Sequence, residues 1–150
     1  MASEYDIIGR GWAFPPSFDA ENGSVNMSQD IQDIEQSLII LFNTSLGERV
    51  MQAKYGCSLA NMVQEPLNTQ ALGLIDTIVR TGILYHEPRI DAQSIQFDIS
   101  TRPGTLFIDI EYTVRGSNSR FNFVYPFYVN EASASASEQT SSAKPEAGEL

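Results

Sequence analysis

Residues 105–128 read TLFIDIEYTVRGSNSRFNFVYPFY, and the fold turns on how this stretch is read. Apolar side chains fall on every second position, first at Leu106, Ile108, Ile110, Tyr112 and Val114, then at Phe121, Phe123, Tyr125 and Phe127. A period of two places them on one face of an extended chain, so each run predicts a strand with one buried face. Arg115-Gly116-Ser117-Asn118 supplies turn chemistry between the two. Upstream, Ile95, Phe97 and Ile99 alternate in the same way, and Arg102-Pro103-Gly104 makes a second turn. Short turns join antiparallel neighbours, so the expectation is a three-stranded meander.

Further upstream the period changes from two to that of a helix. Ile31, Ile34, Leu38, Leu41 and Phe42 recur at helical spacing, with Ser28 as N-cap, Asp30 in the first turn and Gly47 as a stop signal. A second helix is expected from about Thr69, with Leu72, Ile75, Ile78, Val79, Ile83 and Leu84 on its apolar side, ending before Pro88. Residues 48–66 are irregular, with a short strand or loop around Val50–Leu59. Two helices on such a sheet give an α+β domain over residues 28–130. Before it, Gly9-Arg10-Gly11-Trp12-Ala13-Phe14-Pro15-Pro16-Ser17-Phe18 suits an extended N-terminal arm, residues 1–27, rather than a regular element. After it, residues 131–150 are Ser, Ala and Glu-rich, too poor in apolar surface to offset ordering entropy, and are expected to be a disordered acidic tail.

Nineteen acidic against nine basic residues give a formal net charge of −10, which argues against partners bound by phosphate neutralisation, so neither nucleic acid nor an anionic membrane is expected as a partner. No stretch approaches the roughly 18 to 20 apolar residues that cross a bilayer. The N-terminus lacks the charged and apolar regions of a secretory signal, so synthesis in the cytosol is expected. The single cysteine, Cys57, is read as a small buried hydrophobe, and neither a disulfide nor a structural zinc site is available to it.

Catalytic chemistry is hard to assemble from these residues. His86 is the only histidine, no nucleophile elbow faces it, and helix-end solvation or a structural hydrogen bond is the plainer reading. Glu48 and Glu87 are the carboxylates worth considering for glycoside hydrolysis. Each has an arginine close by, in Glu48-Arg49 and Glu87-Pro88-Arg89, which favours a structural ion pair over a general acid. Gly9-x-Gly11 lacks a third glycine and precedes a diproline, so backbone bends are expected there rather than phosphate binding. No metal, cofactor or catalytic residue is assigned.

Taken together, several blocks resemble the small baseplate wedge and sheath-initiator family (gene-25-like, often labelled lysozyme-like) of contractile phages, type VI secretion systems and extracellular injection systems. They are the arm at residues 9–18, Asp33-Ile34-Glu35-Gln36-Ser37-Leu38, Thr44-x-x-Gly47-Glu48-Arg49-Val50-Met51, Tyr55-Gly56-Cys57 and Glu87-Pro88-Arg89-Ile90. Asn118-x-x-Phe121-Asn122-x-Val124-Tyr125-Pro126-Phe127-Tyr128 closes the series. The arm and closing block look most like the extracellular and phage-like branches, ranked above a type VI component.

The resemblance implies a structural, non-enzymatic protein of the inner baseplate. Its implied partners are the larger wedge proteins, sheath subunits joined by strand addition, and tube or spike-proximal proteins. Phe121–Tyr128 is the candidate edge, so Phe121, Phe123, Tyr125 and Phe127 are partner-binding candidates. Glu87, Pro88 and Arg89 have two readings: Pro88 stops the helix while Glu87 and Arg89 pair within the domain, or the block docks onto wedge proteins. Trp12, Phe14 and Phe18 either cover this domain's own core or, as favoured here, anchor to a partner. A peptidoglycan hydrolase and an independent binding adaptor are the competing functions.

Overall fold

The alternating runs form strands, as their period of two requires. In the computed structural model, which describes residues 8–129, β5 (Ile90–Asp98), β6 (Thr105–Val114) and β7 (Arg120–Tyr128) make an antiparallel sheet in that order. Four short strands, β1 (Arg10–Trp12), β2 (Phe18–Asp19), β3 (Ser24–Val25) and β4 (Met27–Gln29), lie nearer the N-terminus. On the buried face of the sheet Ile108 opposes Tyr125, Ile110 opposes Phe123 and Tyr112 opposes Phe121.

β5 begins at Ile90, upstream of the alternation seen at Ile95 and Phe97. The pairing register shifts between Ala92 and Ser94, so the inward phase moves from Ile90 and Ala92 to Ile95 and Phe97. A bulge of this kind breaks the period on which the reading of a strand depends. Ile99 lies past the end of the strand and is exposed.

Helix α1 (Asp30–Asn43) buries Ile34, Leu38, Leu41 and Phe42. It does not start on Ser28, which belongs to β4; Gln29 stands at the N-cap without a side-chain bond. Nor does Gly47 end it. Thr44 is the C-cap, its hydroxyl donating to the Ile40 carbonyl at 2.6 Å. Helix α2 (Thr69–His86) is capped by Asn68, whose side chain accepts from the Ala71 N–H at 2.8 Å. It buries Ala71, Ile75, Val79, Gly82 and Ile83, while Leu84, expected on the apolar side, is exposed because it falls one helical step off that stripe. Between the helices no strand forms among residues 48–66; Ser58–Met62 is a 3₁₀ turn.

Phe42 packs on Phe123 and Tyr125, so α1 covers the β7 side of the sheet, and α2 lies along β5. Ile34, Leu38, Ile75, Val79, Ile108 and Ile110 are wholly enclosed between these layers. Each contributes about 1.5–3 kcal/mol relative to exposure. The described part of the N-terminal arm is extended but paired on itself: β1 pairs with β4 and β2 with β3, a nested hairpin where an irregular segment was expected. The segment 131–150, expected to be disordered, lies outside the described residues.

Candidate functional site

Pro88 disfavours helical backbone at the preceding residue, and Glu87 leaves the helix at φ −129, ψ 72. The chain then turns into β5 with Glu87 and Arg89 directed at one another. Glu87 Oε1 accepts from Arg89 Nε at 2.6 Å and Oε2 from Nη2 at 2.8 Å, a bidentate pair. Nη1 donates to Asp33 Oδ2 on α1 at 2.7 Å and to the Ile8 carbonyl at 3.2 Å. The Ser28 hydroxyl donates to the other Asp33 oxygen at 2.7 Å.

One guanidinium therefore joins the end of α2, the start of β5, α1 and the N-terminal hairpin. Glu87 is 3% exposed and Arg89 keeps 29% of its side-chain surface. The hydrogen bonds that Arg89 donates to Glu87, and to Asp33 after it, push the guanidinium above its ordinary range despite the opposing effect of burial. Of the two readings of Glu87-Pro88-Arg89, pairing within the domain is realised in this geometry, and part of the Arg89 side chain stays exposed.

The hairpin is seated on the same cluster. A Cβ at Gly11 would run into the Asp33 carboxylate, so this glycine permits close approach. The Phe14 N–H donates to Gln36 Oε1 of α1 at 2.9 Å. Asp33, Ser28 and Gly11 escaped functional assignment from sequence. The available signal was Asp33 itself, an acid adjoining Ile34 on the apolar flank of α1, where a carboxylate needs a cation.

Trp12 and Phe18 meet edge to face at 6.2 Å yet are 62% and 68% exposed. Phe14 and Met27, the latter opposite Trp12, are also exposed. The hairpin thus carries an apolar surface that does not cover this domain's core.

The aromatic side chains of β7 take the opposite position. Phe123 and Phe127 are buried, and Phe121 and Tyr125 are half-buried against the core, with the Tyr125 hydroxyl donating to Asn43 Oδ1 at 3.0 Å. This departs from the partner-facing role expected of Phe121, Phe123, Tyr125 and Phe127, because alternation turns all four toward the helices. What β7 offers outward is backbone. The Val114 N–H donates to the Ser119 carbonyl and the Val129 N–H to the Gly104 carbonyl, both at 2.9 Å. Antiparallel partners exchange bonds at every second residue. Phe121, Phe123, Tyr125 and Phe127 therefore bond to β6, whereas Arg120, Asn122, Val124, Pro126 and Tyr128 turn their backbone groups to an edge with no neighbouring strand among the described residues.

Glu48 is not paired with Arg49 as expected. It accepts from the Ser45 N–H at 2.9 Å, and Arg49 stacks over Tyr55 at 4.0 Å, with His86 on the same ring at 5.0 Å. An apolar groove of about 540 Å³ lies nearby, lined by Leu46, Cys57, Ile78, Gly82, Tyr85 and His86. Burial pushes the Cys57 thiol up to about 12, far from a reactive thiolate. Among the described residues there is no cluster of three or more metal-ligating side chains, and no helix is long and apolar enough to cross a membrane.

A family model described as baseplate wedge protein gp25 matches residues 28–119. Over 67 residues the chain is 37% identical to Baseplate protein W of Escherichia phage P2, a match covering 44% of this chain and 57% of that protein, so little more than half of the relative is spanned. Its structure is similar to that of a Geobacter sulfurreducens protein described as a candidate tail lysozyme, with a TM-score of 0.65 and 41% identity over 73% of this chain and 99% of the other. It is also similar to a chain of the anti-feeding prophage baseplate, with a TM-score of 0.57 and 26% identity over 85% and 91% of the two chains.

Proposed function

The chain belongs to the gp25 baseplate wedge family, and from that premise we propose that it is a structural baseplate component of a contractile phage-tail-like injection system. In this role it joins the larger wedge proteins to the first sheath ring and initiates sheath assembly. The observation that carries the reading is the family match over residues 28–119, which spans both helices, β5 and β6. The likeness to an anti-feeding prophage baseplate chain supports it.

Two surfaces suit such a role. The Trp12–Phe18 pair, with Phe14 and Met27, is a preformed apolar surface on a hairpin anchored to α1, which lowers the ordering cost of docking. Wedge proteins are its proposed partners, with the exposed side of Arg89 as an adjoining contact; tube or spike-proximal proteins are further candidates. The free edge of β7 supplies backbone donors and acceptors for a strand from a sheath subunit. The protein is made in the bacterial cytoplasm and built into the baseplate of the particle.

A peptidoglycan-degrading hydrolase is the second reading, drawn from the description of the Geobacter relative. It requires one carboxyl group free to protonate a leaving oxygen and a second across a cleft. Glu87 has both oxygens on Arg89 inside the protein, and Glu48 holds the Ser45 amide. Purified protein is expected to leave peptidoglycan intact; turnover abolished by Glu48→Gln or Glu87→Gln would restore the hydrolase.

The structural role is tested by electron microscopy of particles from cells lacking the gene. Sheathed particles should disappear, return with the wild type, and fail to return with Val124→Pro, which removes an outward N–H without touching the β6 ladder. Normal sheathed particles in the deletion strain would reject the role.

A further inference from the structure

We propose that the free edge of β7 accepts one short extended segment over Arg120–Val124 only, and that Pro126 closes the rest of the edge so that two copies of this chain do not pair through it. The inference rests on the strand-accepting reading of β7 and adds to it a length and an exclusion.

Pro126 stands at an outward position, opposite Phe107 and between the inward residues Tyr125 and Phe127. At an inward position a proline would delete a bond to β6; at this one the sheet loses nothing. The effect falls on an arriving strand. It finds an N–H and a carbonyl at each of Arg120, Asn122 and Val124, then at Pro126 a carbonyl alone, with ring carbons where the donor hydrogen would be. A buried, unpaired carbonyl on the visitor costs about 1–3 kcal/mol, so pairing stops at Val124.

The same position governs self-pairing. Two β7 edges related by a twofold axis run antiparallel, and every register longer than Arg120–Val124 against itself brings Pro126 into the ladder. Prolines at exposed edges hinder such edge-to-edge association.

Side chains indicate the visitor's chemistry. Arg120 is exposed and has no ion-pair partner among the described residues, Asn122 is exposed, and Val124 is exposed at the far end of the window. On the other face the visitor would extend the layer of Phe121 and Tyr125, both half-buried. The segment that fits is an extended strand with an acid opposite Arg120, a polar residue opposite Asn122, an apolar one opposite Val124, and apolar residues on its alternate face.

Pro126→Val restores an outward N–H while leaving every inward bond in place. Analytical ultracentrifugation should find the wild type monomeric and the variant shifting toward dimer as concentration rises. Hydrogen exchange should show the Asn122, Val124 and Tyr128 amides becoming protected in step, with Phe121, Phe123 and Tyr125 protected in both proteins. Pro126→Ala, smaller than the ring, serves if valine distorts the strand. A variant that keeps wild-type inward protection and stays monomeric, or a wild type that itself dimerises through β7, overturns the closure.

The window is read separately in particles. Val124→Pro should stop sheath assembly and Tyr128→Pro, beyond Pro126, should not; a block by both rejects the window. If neither blocks, strand addition at β7 fails and the window fails with it, while the self-association result still decides the closure.

Discussion

Two regions of the molecule hold their side chains against hydropathy. At the corner between α2 and β5, Glu87 and Arg89 are drawn inside with Asp33 and Ser28. On the hairpin, Trp12 and Phe18 are turned out to solvent. One region is satisfied by contacts inside the domain, and the other leaves apolar surface exposed. The carboxylates of the charged corner find their cation within the chain, and a bidentate arginine offsets the desolvation of the carboxylate it holds. The aromatic pair is braced from behind, by Gly11 against Asp33 and by Phe14 against Gln36, but has no counterpart in front among the described residues.

Arg89 carries the largest expected effect. Arg89→Ala leaves Glu87 enclosed without a cation and should cost about 3–5 kcal/mol, read as a fall in the denaturant midpoint. Arg89→Lys should recover only part, since an ammonium cannot make the two parallel bonds. A loss no larger than that of an exposed ion pair would show that the corner is solvated.

Gly11→Ala is next. The added methyl meets the Asp33 carboxylate, so the hairpin must lift or Asp33 must leave Arg89. A cost of about 1–3 kcal/mol is expected, as for overpacking elsewhere. Amide exchange on β1 and β4 should rise more than on β6. Equal loosening of both would mean that the hairpin and the sheet open as one unit.

Trp12→Ala and Phe18→Ala should change thermal stability little, within about 0.5 to 1 kcal/mol including the lost edge-to-face contact, while baseplate incorporation falls sharply. A large drop in melting temperature instead would make the pair part of the core and erase the contrast.

The smallest effect is expected at Tyr112. Its ring is enclosed near the C-terminal end of β6, and its buried hydroxyl has no hydrogen-bond partner among the described residues. Tyr112→Phe should be neutral or slightly stabilising by calorimetry, because a buried unpaired hydroxyl is disfavoured. A clear loss of stability would place that hydroxyl within the network of the charged corner.

Much of the fold was readable because its signals are local. The period of two in β6 and β7, the helical stripes of α1 and α2, and Pro88 as a stop all act within a few residues. The beginning of β5 was hidden by the bulge between Ala92 and Ser94, which shifts the phase of burial. The hairpin was hidden because β1 and β4 are joined across a long, turn-rich segment with no alternation to betray it. At the candidate site the Glu-Pro-Arg block and the arm aromatics were visible as residue types. Their surroundings were not, since Asp33 lies far from Arg89 in sequence and reaches it only when α1 is packed.

Sequence alone was enough for the two helices, for the presence of the three strands of the main sheet with the side chains that share a face in β6 and β7, and for the resemblance to a baseplate wedge family. Tertiary packing was needed to bring Arg89 onto Glu87 and Asp33 and to leave Pro126 on the outward side of an edge that has no neighbouring strand among the described residues. The reason is physical: periodicity records a residue's relation to its neighbours along the chain, whereas burial, ion pairing and ladder direction depend on which distant segment lies alongside.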